Sequence, residues 1–122
     1  MRLESNMKEV KTILNGNWLT VYQEFEGRKI SSTAFQGQQL ILKENTYTII
    51  GANIDEGIIK VNGQKLDIYG TDGANKGRHY SAIYRIEKNR LKICCNLAGN
   101  TYPTDFKTEA NPQHFLSIFE RS

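Results

Sequence analysis

The chain has little that would tie it to a membrane, a nucleic acid or a metal. No apolar run approaches the ~20 residues that a membrane-spanning helix needs, so no membrane span is expected. Like charges form no run or stripe. The 16 Lys and Arg are scattered among 13 Asp and Glu, for a net charge of +3, and no basic aromatic platform accompanies them. Nucleic acid is therefore not an expected partner. Cysteine is scarce: Cys94 and Cys95 are the only two, and they are adjacent. Neighbours on a strand point to opposite faces, so a bridge between them would be strained, and free thiols in a reducing compartment are expected. The two histidines, His79 and His114, and the two cysteines have no zinc-site spacing, so no metal is expected. The Gly-rich segment GTDGANKGRHY lacks the order of a phosphate-binding loop and joins strand to strand, so no cofactor is expected either. No nucleophile–base pair or carboxylate dyad stands out, and the chain does not read as an enzyme. An enzymatic reading would need a converging titratable pair, for example Glu24 with His79. The opening MRLESNMKEVKTIL mixes charges into its apolar positions and has no signal-peptide core, which makes the cytoplasm the expected compartment.

What is present is a chain of 122 residues with 39% hydrophobic and 24% charged residues, enough for one domain with a real core. Met7, Val10, Ile13 and Leu14 recur at helical spacing, with Ser5 or Asn6 as a cap and Gly16 past the end. A short helix over Glu4–Leu14 is expected, so that residues 1–15 form an N-terminal helix and 16–122 the rest of one domain. After Gly16 the apolar period changes to two. Three tight turns are expected, at Glu44-Asn45, Asn62-Gly63 and Lys88-Asn89. Mirror-pairing across the first sets Leu42 opposite Tyr47 and Leu40 opposite Ile49. Across the second it sets Ile59 opposite Leu66 and Gly57 opposite Ile68. The third sets Ile86 opposite Leu91, Tyr84 opposite Ile93, Ala82 opposite Cys95 and Tyr80 opposite Leu97. The other face carries Lys43, Lys60, Lys65, Arg85, Glu87, Arg90 and Lys92, and a one-residue slip would scramble this agreement. With a first strand near Asn17–Glu26 and a last near Gln113–Arg121, the reading is all-β: an eight-stranded antiparallel up-and-down barrel, closed so that no edge is left unpaired.

The loop lengths orient that barrel. All three tight turns fall at the Trp18 end. The long connections, Gly27–Gly37, Asn53–Glu56, Thr71–Gly77 and Ala98–Pro112, fall at the other. Ligand sites favour the mouths of barrels and the loops on a rigid scaffold, so the long-loop rim is the expected mouth and Trp18 with Arg121 the closed base.

Several segments resemble a known family. Gly16-Asn17-Trp18 looks like the Gly-x-Trp signature of lipocalins, and Arg121 is similar to the arginine that packs on that tryptophan. More closely, Leu14-Asn15-Gly16-Asn17-Trp18, Glu26-Gly27-Arg28, the run from Ile83 to Cys94 and Pro103-Thr104-Asp105-Phe106 resemble an uncharacterised family of bacterial lipocalin-like domains, abundant in planctomycetes. The chain departs from that pattern at Tyr102, where the family usually has Arg. The resemblance implies a calycin-like barrel and no reaction.

Within such a barrel the parity of strand one turns Trp18, Thr20, Tyr22 and Glu24 inward. Tyr47, Tyr80 and Tyr84 share the lumen, either as hydroxyl-bearing walls of a cavity or as simple filling. The first functional expectation is non-covalent binding of a small apolar or amphipathic molecule in the mouth. Tyr22, Tyr80, Tyr84 and Leu97 would form its walls, and Glu24 and Arg78 its polar anchors. The second is a filled barrel acting as a protein-interaction or inhibitory module, with Phe35, Tyr69, Tyr102 and Phe106 as exposed anchors.

Overall fold

In a computed structural model, which describes residues 13–122, the chain forms a closed antiparallel barrel. Its strands are β1 (Gly16–Phe25), β2 (Arg28–Lys29), β3 (Gln39–Lys43), β4 (Thr46–Ile50), β5 (Ile54–Asn62), β6 (Lys65–Asp72), β7 (His79–Glu87), β8 (Arg90–Asn96) and β9 (His114–Arg121). Eight of them follow one another round the wall in sequence order, and β9 returns to pair with β1, so that the sheet has no long free edge. The two-residue β2 is a flap hairpinned onto the end of β1. The expected helix over Glu4–Leu14 lies outside the described residues apart from Ile13 and Leu14, which are helical.

The first and third hairpins have the expected registers. Leu42 faces Tyr47 across Glu44-Asn45, and Ile86 faces Leu91 across Lys88-Asn89. The second differs. Ile59 pairs with Ile68 and Val61 with Leu66, so the turn is Gly63-Gln64 and not Asn62-Gly63. Moving the turn by one residue moves each partner by two, which keeps every side chain on its face. The register gained sets Val61 against Leu66, where the other would have left it opposite Gln64. Gly63 supplies the positive φ, +63°, that the first position of a type II′ turn requires. Along β5 the alternation is unbroken: Asp55, Gly57, Ile59 and Val61 are buried and the residues between them exposed.

The short turns gather at the Trp18 end as expected, and the core there is dense. Trp18, Leu14, Val61, Tyr84 and Leu91 are buried in one cluster. Arg121 closes the base, with its guanidinium carbon 4.1 Å from the centre of the Trp18 ring. Its two terminal nitrogens donate to the carbonyls of Asn15 (3.0 Å) and Ile13 (2.8 Å), while Trp18 Nε1 donates to Leu14 O at 3.0 Å. Gly16, at φ +141°, lets this happen: a Cβ there would stand 2.7 Å from the guanidinium.

Two further features depart from the expected barrel. The first is a bulge in β1. Thr20 pairs with Phe119 and Tyr22 with Ile118, so Val21 is an extra residue and the parity of the strand reverses beyond it. The second is the connection from β8 to β9, of which Ala98–Pro112 is expected on the rim. It folds down over the outer wall as a strap. Asn96, buried at its start, donates to the carbonyl of Thr101 at 2.8 Å. Tyr102 reaches Asp67 on β6, Phe106 lies beneath Arg85 of β7 and Lys92 of β8, and Thr108 donates to Glu24 on β1. Beneath this layer the outward-facing Ser81, Cys94 and Leu116 are buried.

Candidate functional site

The lumen is not filled. Above the base cluster lies a cavity of about 300 Å³. Leu42, Leu66, Ile93 and Phe119 form its floor, Leu40, Ile49, Ile59 and Ile68 its sides, and Gln23, Gln38, Asn75, Leu97 and Phe115 reach it at the long-loop end. Trp18 takes no part in the lining, so the orientation read from the loop lengths holds. Most of the lining is apolar, with a few convergent polar groups, which is the character of a small-molecule site.

The polar groups sit on two opposite walls. On one, Asp55 accepts from Asn75 Nδ2 at 2.6 Å, from the Asn75 backbone N–H at 3.3 Å and from Tyr47 Oη at 3.4 Å. Tyr80 Oη donates to Asn75 Oδ1 at 2.6 Å, which completes a chain Tyr47–Asp55–Asn75–Tyr80. Burial, followed by the Asp55 charge, pushes the Tyr47 hydroxyl well above its ordinary range. Burial also raises that of Tyr80, against a lowering by Arg78. Both phenols are therefore neutral donors at pH 7. Across the lumen, Gln23 Nε2 lies 3.5 Å from Ser117 Oγ, and Gln38 donates to Thr20 Oγ1 at 3.1 Å.

Asn75 comes from the β6–β7 loop, and glycine puts it there. Gly70 N–H donates to Arg78 O (3.0 Å) and Gly77 N–H to Gly70 O (2.9 Å), folding the loop back on itself. A Cβ on Gly70 would sit 1.9 Å from Asn75 O. Only a glycine at 70 admits that approach, which turns the Asn75 side chain onto Asp55.

Of the residues expected at the site, Tyr80 and Leu97 line the cavity. Tyr84 does not: it lies in the base, donating to the carbonyl of Gly63 at 2.8 Å. Tyr22 and Glu24 are on the outside, since the bulge at Val21 turns Gln23 inward in their place. Tyr22 Oη donates to Glu24 Oε1 at 2.7 Å, and the other carboxylate oxygen accepts from Thr108. Glu24 thus anchors the strap, paired with neither Arg78 nor His79. Arg78 is exposed on its loop and does not line the cavity. The polar cavity residues missed were Asp55, Asn75, Gln23, Gln38 and Ser117. Asp55 had a signal: it shares the parity of Gly57, Ile59 and Val61.

The expected exposed aromatics are not exposed. Phe35 is buried, and Tyr69, Tyr102 and Phe106 are half-buried against the outer wall. Tyr69 stacks on His79 with ring centres 4.7 Å apart. His79, which showed no partner in the sequence, lies 2.7 Å from Asp67 Oδ1, while Tyr102 Oη donates to Oδ2 at 2.6 Å. Cys94 faces the strap and Cys95 the cavity; burial pushes their thiols up to about 11 and about 12. Neither is a reactive thiolate at neutral pH. No group of three or more potential metal ligands occurs among the described residues. No described helix is long and apolar enough to cross a membrane.

Asp67 makes the strap acid-sensitive. Burial alone would raise its carboxyl, but the hydrogen bonds from Tyr102 and His79, with the charges of His79 and Lys60, hold it below its ordinary value. A depressed carboxyl contributes stability that is present above its unfolded value near 3.9 and lost as pH falls through the lower folded value. The thermal midpoint of the native protein is therefore expected to fall more steeply than that of Asp67→Asn as pH drops from about 5 to about 3. Parallel slopes in circular-dichroism melts would show that Asp67 does not fasten the strap.

Compared with protein-family models, with curated proteins and with solved structures, the chain has no match in any of the three.

Proposed function

We propose that this barrel binds a small, largely apolar molecule non-covalently in its mouth. The observation that carries the reading is the 300 Å³ cavity at the long-loop end, apolar on its floor and polar at its entrance. An apolar cavity of about 150 Å³ holds a benzene-sized molecule, so this one suits a ligand of roughly twice that bulk. The binding is non-covalent in this reading: the one thiol in the lining, Cys95, is held protonated by burial. The Gly16–Trp18–Arg121 clasp at the base supports placing the chain with the lipocalin-like domains that its sequence resembles.

Native mass spectrometry of the purified protein, together with calorimetric titration of 1-octanol, tests the proposal. Uptake of octanol is expected. The variant Ile68→Trp, which fills the cavity from β6, should lower its affinity by at least about tenfold, while Tyr22→Phe on the outer wall should leave it within about twofold. Neither a bound mass nor any heat of octanol binding would sink the reading.

A further inference from the structure

The cavity has one formal charge. Among the described residues that line it there is no Lys, Arg, His or Glu, and Asp55 alone carries a charge. Asp55 is buried, 8% exposed, and every group that it accepts from is neutral: an asparagine amide, a backbone N–H and a phenol at a long 3.4 Å. The two ion pairs among the described residues, His79–Asp67 and Arg90–Glu120, lie elsewhere. Arg78 lowers the Tyr80 hydroxyl through its charge and a hydrogen bond, but it is exposed and forms no ion pair with Asp55.

A carboxylate has about four acceptor sites, and three donors, one of them distant, leave this one unfilled. A buried charge is costly unless a counter-charge meets it. The polarity of the site is therefore one-sided. Apolar surface fills the depth, and a wall with one negative charge stands near the entrance, with the neutral amides of Gln23 and Gln38 on the opposite side. An anionic head would enter against Asp55. A neutral head would leave the charge unmatched. A protonated amine would meet the carboxylate while its carbon chain lay over Ile59, Ile68 and Ile93.

We propose that the cavity is selective for cationic amphiphiles, small apolar molecules bearing a protonated amine that pairs with Asp55. The inference rests on the ligand-binding reading above and names the ligand class for the same site.

Three probes with one carbon chain and different heads test it: n-octylamine, 1-octanol and octanoate, titrated by calorimetry at pH 7 into the full chain. The amine is expected to bind at least about tenfold more tightly than the alcohol, with octanoate weakest. In Asp55→Asn, which keeps the shape and one acceptor, the amine should fall to within about threefold of the alcohol. In Ile68→Trp the amine should lose its binding along with the alcohol. If no probe binds, the ligand-binding reading itself fails. If octanol binds and octylamine binds no tighter, that reading stands and the selectivity is overturned. Amine binding that survives in Ile68→Trp also overturns it, since the amine then sits outside the cavity. The comparison of the three probes in the native protein stands whether or not Asp55→Asn folds.

Discussion

Trp18→Ala is expected to lower the stability of this protein by about 3–5 kcal/mol, the cost of truncating a fully buried large aromatic side chain. A domain of this size has about 5–15 kcal/mol in all, so the loss is a large fraction of the total. The indole holds several parts of the base together. Its ring is sealed within the base cluster that includes Leu14, Leu40, Leu42 and Phe119, and its N–H satisfies the carbonyl of Leu14. On its open side lies the Arg121 guanidinium, which ties down the chain before β1 through the carbonyls of Ile13 and Asn15. Arg121→Ala removes only that outer layer and should cost less, about 1–2 kcal/mol, because the guanidinium is partly in water. Urea unfolding followed by circular dichroism measures both. A Trp18→Ala loss no larger than that of Arg121→Ala would mean that the base is not the anchor of the barrel.

The features legible in the sequence were those set by local period and turn chemistry. Leu40, Leu42, Tyr47 and Ile49 alternate across a two-residue turn, and nothing distant is needed to know their partners. The end at which Trp18 lies followed from counting connections. The features that were missed depend on what a segment meets in space. In β1, Trp18, Thr20, Tyr22 and Glu24 alternate with Leu19, Val21, Gln23 and Phe25, and both sets mix apolar with polar residues. Either could face inward, and the choice changes midway, at a bulge fixed by pairing with β9 almost a hundred residues later in the chain. The strap was opaque for a similar reason. Its anchors, Tyr102 to Asp67 and Thr108 to Glu24, are single contacts across long separations, and a Pro- and Asn-bearing segment reads as a rim loop until its partners are known. Asn75 reached the cavity through the freedom of Gly70, which in the sequence was only one glycine among several. Asp55 is a different case. The period of β5 already turned it inward, but assigning residues 53–56 to a loop cut that strand short.

Gly57→Ala is expected to be as damaging as a large core truncation although it adds only one methyl group. Gly57 lies opposite Tyr47 in the β4–β5 ladder. A Cβ there would be 2.1 Å from Tyr69 O and 2.3 Å from Tyr47 Cε2. The tyrosine ring rests on the bare backbone, which is how it reaches Asp55 in the cavity wall. No positive φ is involved at this position, so the demand for glycine is one of space alone. Gly63 is the reverse: its φ is +63° with nothing near its missing Cβ, and Gly63→Ala should cost only the backbone strain of the positive φ that the turn imposes, about 1–3 kcal/mol. At Gly57 the ring can swing away but the Tyr69 carbonyl, held in the sheet, cannot. Overpacking of this kind costs about 3 kcal/mol, at the top of the usual range. The double variant Tyr47→Ala/Gly57→Ala separates the two contacts. With the ring gone, adding the methyl should cost less than it does in the native background, by about 1 kcal/mol, and the remainder belongs to the carbonyl. Additive losses in urea unfolding would mean that the ring does not rest on Gly57. A ring displaced by the methyl moves toward the lumen, so Gly57→Ala should also weaken octanol uptake, whereas Gly63→Ala at the closed base should not.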